Sequence, residues 1–183
     1  MQEKEKKELL NIARQSITSI FSKKAMEISQ DTRKRYGKKQ GAFVTLKKNN
    51  ELRGCIGFPE PVEQLYNAIV EGARAAAFRD PRFPQVKENE MKDIKIEISV
   101  LTVPEEVKCS KADLVKNVKV GKDGLIARMG FNSGLLLPQV PEEWGWNTKE
   151  FLENVCMKAG LTPEAWKDKN CKIYKFHAEV FGE

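Results

Sequence analysis

The amino-acid sequence predicts an α+β protein in which antiparallel strands pack against helices. Three observations carry that expectation. An extended run at 41–48 meets a second, 51–57, across Asn49-Asn50; asparagine tolerates φ > 0, so the pair reads as a β-hairpin. Residues 94–101 alternate strictly, with Ile94, Ile96, Ile98 and Val100 on one face and Lys95, Glu97, Ser99 and Leu101 on the other, so the apolar face is expected to lie on helices. After Pro104 the texture changes to short extended runs separated by glycine turns, which reads as an antiparallel meander in a smaller lobe.

In chain order, residues 4–26 carry a helical stripe of Leu10, Ala13, Ile17, Ile20 and Phe21. Residues 29–40 are polar and basic, a loop or a short helix. After the hairpin, Pro61 suits the first turn of a helix whose narrow stripe runs through Val62, Leu65, Ile69, Gly72, Ala73 and Ala76. Its second half is small enough for close packing on a sheet. The helix is expected to stop before Arg79-Asp80-Pro81-Arg82-Phe83, because a residue preceding proline disfavours helix. Ser110 and Asp113 suggest a cap for a short helix over 111–116. Extended runs at 118–121, 125–129 and 135–139 make up the meander. A helix at about 148–159 ends at Gly160, and Thr162-Pro163 opens a short one carrying Trp166. Residues 171–181 close the chain as a single strand with His177 facing outward. The resulting division is residues 1–103 with 169–183 in a large lobe, and 104–168, which holds all three tryptophans, in a small inserted one.

The chain has 183 residues, 40% apolar and 32% charged, the profile of a globular protein with a core. No apolar run approaches the ~20 residues of a membrane span. The charged N-terminus lacks the apolar centre of a signal peptide, so a cytoplasmic protein is expected. Cys55, Cys109, Cys156 and Cys171 have no metal-knuckle spacing, so free thiols and no bound metal or cofactor are expected. The net charge of +6 resides in residues 1–40, which hold eleven lysines and arginines against five acids; the rest is balanced. The run at 33–39 has the composition of a phosphate grip, but a neutral body argues against a broad nucleic-acid groove, and nucleic acid is not the expected partner.

The chemistry concentrates at Leu52-Arg53-Gly54-Cys55-Ile56-Gly57. Strand alternation puts Arg53 and Cys55 on one face and Leu52 and Ile56 on the other. A guanidinium beside a thiol favours thiolate, so one reading is an activated cysteine with Arg53 as electrostatic partner and Glu97 as base. The other is a small cysteine in a packed strand, with Glu97 in a salt bridge. Glycines inside a strand mark a bulge or a close approach of backbone or ligand. Arg79 and Arg82 are candidates for an anionic group, or pair with nearby acids while Asp80 caps a turn.

This hexapeptide, with the blocks at 41–48, 79–83, 94–101, 121–126, 133–140 and 158–161 in order, resembles the AMMECR domain family over nearly the whole chain from about residue 8. The resemblance implies two sub-lobes, each with an antiparallel sheet flanked by helices, and a cleft between them faced by the hexapeptide. The matched blocks add Arg79, Asp80, Arg82, Phe83 and Gln139 to that cleft. Because the family occurs with Memo-type and radical-SAM proteins, the resemblance also implies protein partners of those kinds. Two functions follow as expectations: a module that binds a protein segment or pathway substrate, or an enzyme using Cys55 with Arg53 and Glu97.

Overall fold

A computed structural model describes all 183 residues, which fall into two compact units. The first comprises Met1–Leu101 with Glu179–Glu183, the second Thr102–Ala178. The fold is α+β, with one four-stranded antiparallel sheet in each unit.

The first unit begins with helix α1, Glu3–Ser22, which ends where Lys23 turns left-handed (φ 54°). A short helix, α2, spans Gln30–Arg35; Glu8 of α1 ties it down by accepting from Thr32 Oγ1 and Tyr36 OH, at 3.1 and 3.0 Å, and from Arg35. The Glu8 carboxylate and burial together push the Tyr36 phenol up to about 12, with burial the larger cause. Strands β1, Ala42–Lys48, and β2, Glu51–Phe58, form the expected hairpin, and both turn asparagines are left-handed (φ 54° and 64°). A left-handed alanine costs about 1–2 kcal/mol. Asn49→Ala and Asn50→Ala are therefore each expected to lower stability by about 1 kcal/mol, and Asn50→Gly to be neutral or stabilising. Thermal unfolding decides this; an unaffected Asn50→Ala protein contradicts it.

Helix α3 spans Leu65–Phe78. It begins after Pro61 rather than at it, because Gln40 N–H donates to the Glu63 carbonyl and Leu65 N–H to the Lys38 carbonyl, holding Gln64 in an isolated antiparallel bridge with Lys39. Strand β3, Ile94–Leu101, pairs antiparallel with β1. The sheet order is β2-β1-β3-β8, with β8 at Ala178–Gly182. Val44, Leu46, Ile96 and Ile98 point to the helical side and are fully buried against α1 and α3. The small residues of α3 let it approach closely: the Ile56 carbonyl and Val44 lie 3.3 Å from where a Cβ on Gly72 would sit.

In the second unit the sheet order is β4-β7-β5-β6, with β4 Glu105–Glu106, β5 Gly124–Met129, β6 Asn132–Leu136 and β7 Lys172–Phe176. Short helices α4, Leu114–Asn117, and α5, Val140–Glu143, accompany helix α6, Thr148–Lys158, capped by Asn147. Phe151, Leu152 and Val155 of α6 join Leu125 and Ile173 of the sheet in a separate core. Two features differ from the sequence expectation. Residues 118–121 are not a strand: Lys119 N–H donates to the Asp123 carboxylate and Asp123 N–H to the Lys119 carbonyl, both at 2.9 Å, which closes a turn. The closing run also breaks at His177, whose N–H donates to Thr102 Oγ1 while its carbonyl accepts from Thr102 N–H. One run thus supplies β7 to one sheet and β8 to the other, and the second division falls after Ala178 instead of before residue 169.

The hexapeptide strand as candidate functional site

Strand β2 is an edge strand, and its register with β1 contains a β-bulge. Leu46 pairs with Gly54 but Lys47 pairs with Leu52, so Arg53 is an extra residue without a partner. The bulge breaks the alternation on which the sequence reading relied. Arg53 does not serve Cys55: Nε and Nη2 donate to the Glu90 carboxylate at 3.3 and 3.1 Å, and Nη1 donates to the Pro84 carbonyl at 2.8 Å. Arg53, then the Lys87 N–H, holds the Glu90 carboxyl down at about 2. Lys48 completes this cluster, 3.0 Å from Glu90.

Cys55 lies on the other side of the sheet. Its register partner is Thr45, whose own partner on β3 is Glu97. Thr45 Oγ1 donates to Cys55 Sγ at 3.2 Å. Glu97 accepts from Lys47 Nζ at 2.8 Å instead of pairing with Arg53. Two strand spacings of ~4.8 Å separate the Cys55 and Glu97 backbones, so Glu97 reaches the thiol only through the Thr45 position. The half-buried set Cys55, Thr45, Lys47 and Glu97 therefore forms one polar patch on the sheet face opposite the helices. The sequence reading missed Thr45 and Lys47.

The free edge of β2 at Cys55 is closed by the turn after α3. Asp80 Oδ2 accepts from Cys55 N–H at 2.9 Å, and Arg82 Nη2 donates to the Cys55 carbonyl at 3.0 Å. Arg82 grips both Asp80 oxygens, at 2.9 and 2.7 Å. The pair offers one acceptor and one donor where a neighbouring strand would, so it blocks further strand pairing there. The Arg82 guanidinium, with the Cys55 N–H, holds the buried Asp80 carboxyl well below the usual carboxylate range. The two arginines of the motif part company: Arg79 turns to Glu71 of α3, at 3.0 Å.

Both hexapeptide glycines mark close backbone approaches. A Cβ on Gly54 would lie 2.2 Å from the Ala76 carbonyl oxygen of α3, and one on Gly57 2.2 Å from the Ala42 carbonyl oxygen of β1. Ile56 packs on the first core, Leu52 is exposed, and the Phe83 ring lies under the Arg82 guanidinium at 5.6 Å. Gln139 belongs to the second unit, at the start of α5. His177, also there, contacts the buried Asp123 at 3.0 Å. Cys156 and Cys171 are fully buried; burial pushes the Cys156 thiol to about 12 and raises that of Cys171, so neither is a nucleophile at neutral pH. No helix is long and apolar enough to cross a membrane.

Fold and site together define an α+β protein whose first sheet carries a clasped cysteine edge strand. The AMMECR1 family model matches residues 10–181, and the chain belongs to that family. A protein of Methanothermobacter thermautotrophicus is 48% identical over 177 residues, covering 96% of this chain and 92% of its own. One of Thermococcus onnurineus is 47% identical over 181 residues, covering 96% of this chain and 88% of its own. The crystal structure of the uncharacterised protein PH0010 from Pyrococcus horikoshii superposes with a TM-score of 0.85 at 46% identity, covering 96% of this chain and 89% of that one.

Proposed function

We propose that the polar sheet face around Cys55 is a recognition surface that binds a protein segment or a pathway substrate, in company with Memo-type and radical-SAM proteins. The observation that carries this reading is the Asp80–Arg82 clasp, which holds both peptide groups of Cys55. Every charged group near Cys55 already has a fixed partner: Arg53 with Glu90, Arg82 with Asp80, Lys47 with Glu97. Such a face is preorganised, which suits recognition because little ordering remains to oppose binding. Of the residues the family resemblance implies, Leu52, Gly54, Ile56, Gly57 and Phe83 shape this strand and its rim. The enzyme reading keeps one supporting observation, the Thr45 hydroxyl directed at Cys55 Sγ, which fixes the orientation of the sulfur.

Charge reversal tests the recognition reading. Lys47→Glu and Glu97→Lys are each expected to weaken association with a Memo-type protein of the same organism at least tenfold, with partial recovery in the double reversal, measured by calorimetry. Association unchanged in both single variants sinks it. Cysteine chemistry tests the alternative. Cys55→Ser and Cys55→Ala are expected to fold within about 1 kcal/mol of the parent, because the site is half-buried and Ser retains the Thr45 bond. Cys55 is expected to react with iodoacetamide no faster than Cys109, the other incompletely buried thiol. Rapid alkylation at pH 7, selective for Cys55 over Cys109, moves the assignment to the enzyme.

A further inference from the structure

A second feature of the first unit lies apart from the Cys55 patch, on the helical side of the sheet. The parallel ends of α1 and α3 and the segment returning past Val86 enclose an open cavity of about 490 Å³. Its floor is apolar: Phe21 meets Phe78 edge to face at 5.5 Å, and Val86 is buried beneath them. Ile20 is 48% exposed at the rim, although it continues the core-facing stripe of α1. The size and apolar floor are those of a small-molecule site.

The polar rim is arginine-rich. Arg74 donates to the Ser16 carbonyl and lies 3.6 Å from Glu71, and Arg79 donates to the same Glu71 at 3.0 Å. One carboxylate thus serves two guanidiniums, and the 62%-exposed Arg79 side chain has this carboxylate as its one hydrogen-bonded partner, leaving most of its five N–H donors unused. Lys23 and Lys24 follow directly on the end of α1, both exposed. Two helix C-termini meet here, each worth about half a negative charge. The N–H of Arg79, the N–H of Val86 and the Gln85 amide cap the carbonyls of α3, and Arg74 and Arg79 set two cations of the cavity wall against the single carboxylate of Glu71.

We infer that this cavity binds a small amphipathic carboxylate, a medium-chain aliphatic or arylalkanoic acid, with its apolar tail on Phe21, Phe78 and Ile20 and its carboxylate on Arg79. The tail removes the exposed apolar surface from water, and the head group takes the unused guanidinium donors. Glu71 sets the orientation, since it repels a carboxylate on its own side and steers the head group to the outer edge of Arg79.

The probes are hexanoate, octanoate and the neutral octanamide, titrated into the full chain and followed by amide NMR shifts. Octanoate is expected to move resonances at 20–21, 71–79 and 85–86 and to bind about tenfold tighter than hexanoate, since each buried methylene is worth about fourfold at most. Arg79→Ala, a change at an exposed side chain, is expected to weaken octanoate at least fivefold and to leave octanamide unaffected. Ile20→Ala is expected to weaken both. Equal affinity for octanoate and octanamide in the parent overturns the assignment, as do shifts spread over the whole protein or no shift at millimolar probe. An acidic peptide with one bulky apolar residue serves as competitor; saturation by that peptide where octanoate fails replaces the small acid with a protein segment.

Discussion

Gly54→Ala is expected to destabilise the first unit by about 3 kcal/mol or more. The new Cβ would sit 2.2 Å from the Ala76 carbonyl oxygen and 3.1 Å from its carbonyl carbon. Neither atom belongs to a flexible side chain, so relief requires moving β2 away from α3. Overpacking of a well-filled site costs ~1–3 kcal/mol, and a rigid backbone obstacle places this case at or beyond the upper end. Gly72→Ala is the internal control. Its nearest neighbours stand at 3.3 Å, and one is a valine methyl, so the neighbours need yield only slightly. Alanine is also the better helix former by ~1 kcal/mol. That variant is expected within about 1 kcal/mol of the parent. All three tryptophans lie in the second unit, so tryptophan fluorescence misses a loss confined to the first. Hydrogen exchange of the β1 and β2 amides is the appropriate measurement. Equal protection in the two variants contradicts the close-approach account of Gly54 and leaves its place in the hexapeptide without a packing reason.

The sequence was most readable where a local rule decides the outcome. Asn49-Asn50 specify a tight hairpin by backbone preference alone, and the alternation at 94–101 specifies a strand with one covered face. It was least readable where a partner distant in the chain decides. Counting back evenly from the turn, position 45 falls opposite 54; the bulge at Arg53 moves it opposite Cys55. A two-residue period carries no mark of one inserted residue, so even alternation puts Arg53 on the thiol face and sets Thr45 opposite Gly54. The closing run shows the same blindness. Residues 174–180 alternate without a break, and the Thr102 contacts of His177 divide them between two sheets. Asp80 was legible as a cap in a proline turn. Its true target, the edge of a strand 25 residues earlier, depends on where α3 delivers the chain.

That delivery makes Asp80 the residue whose loss is expected to matter most after Gly54. Its carboxylate accepts from Cys55 N–H, from Arg82 N–H and twice from the Arg82 guanidinium, and its side chain is only 1% exposed. Asp80→Ala leaves the Cys55 N–H without its acceptor and frees Arg82 to solvent. Arg82 is half exposed, so no charge is stranded in the interior and the larger penalty of a broken buried pair does not apply. Hydrogen bonds to a charged group are worth ~1.5–3 kcal/mol, and their loss here sets an expected cost of about 2–4 kcal/mol. Arg82→Ala is expected to cost at least about 2 kcal/mol as well, because it leaves the buried Asp80 carboxylate its two backbone donors but no cation. The acid side of the stability curve gives an independent reading. Folding depresses Asp80 through Arg82 and depresses Glu90 to about 2 through Arg53. A depressed carboxylate stabilises above its unfolded value near 4 and loses that contribution as pH falls through the folded value. The stability of the first unit is therefore expected to drop steeply from about pH 5 toward pH 2, and Asp80→Asn to lower the plateau at pH 7 while flattening the slope below pH 4. Hydrogen exchange of β2 or urea unfolding across that range measures both. If Asp80→Asn shows the parent's acid slope, displaced by a constant amount, the Asp80–Arg82 clasp does not hold the Cys55 edge through its charge.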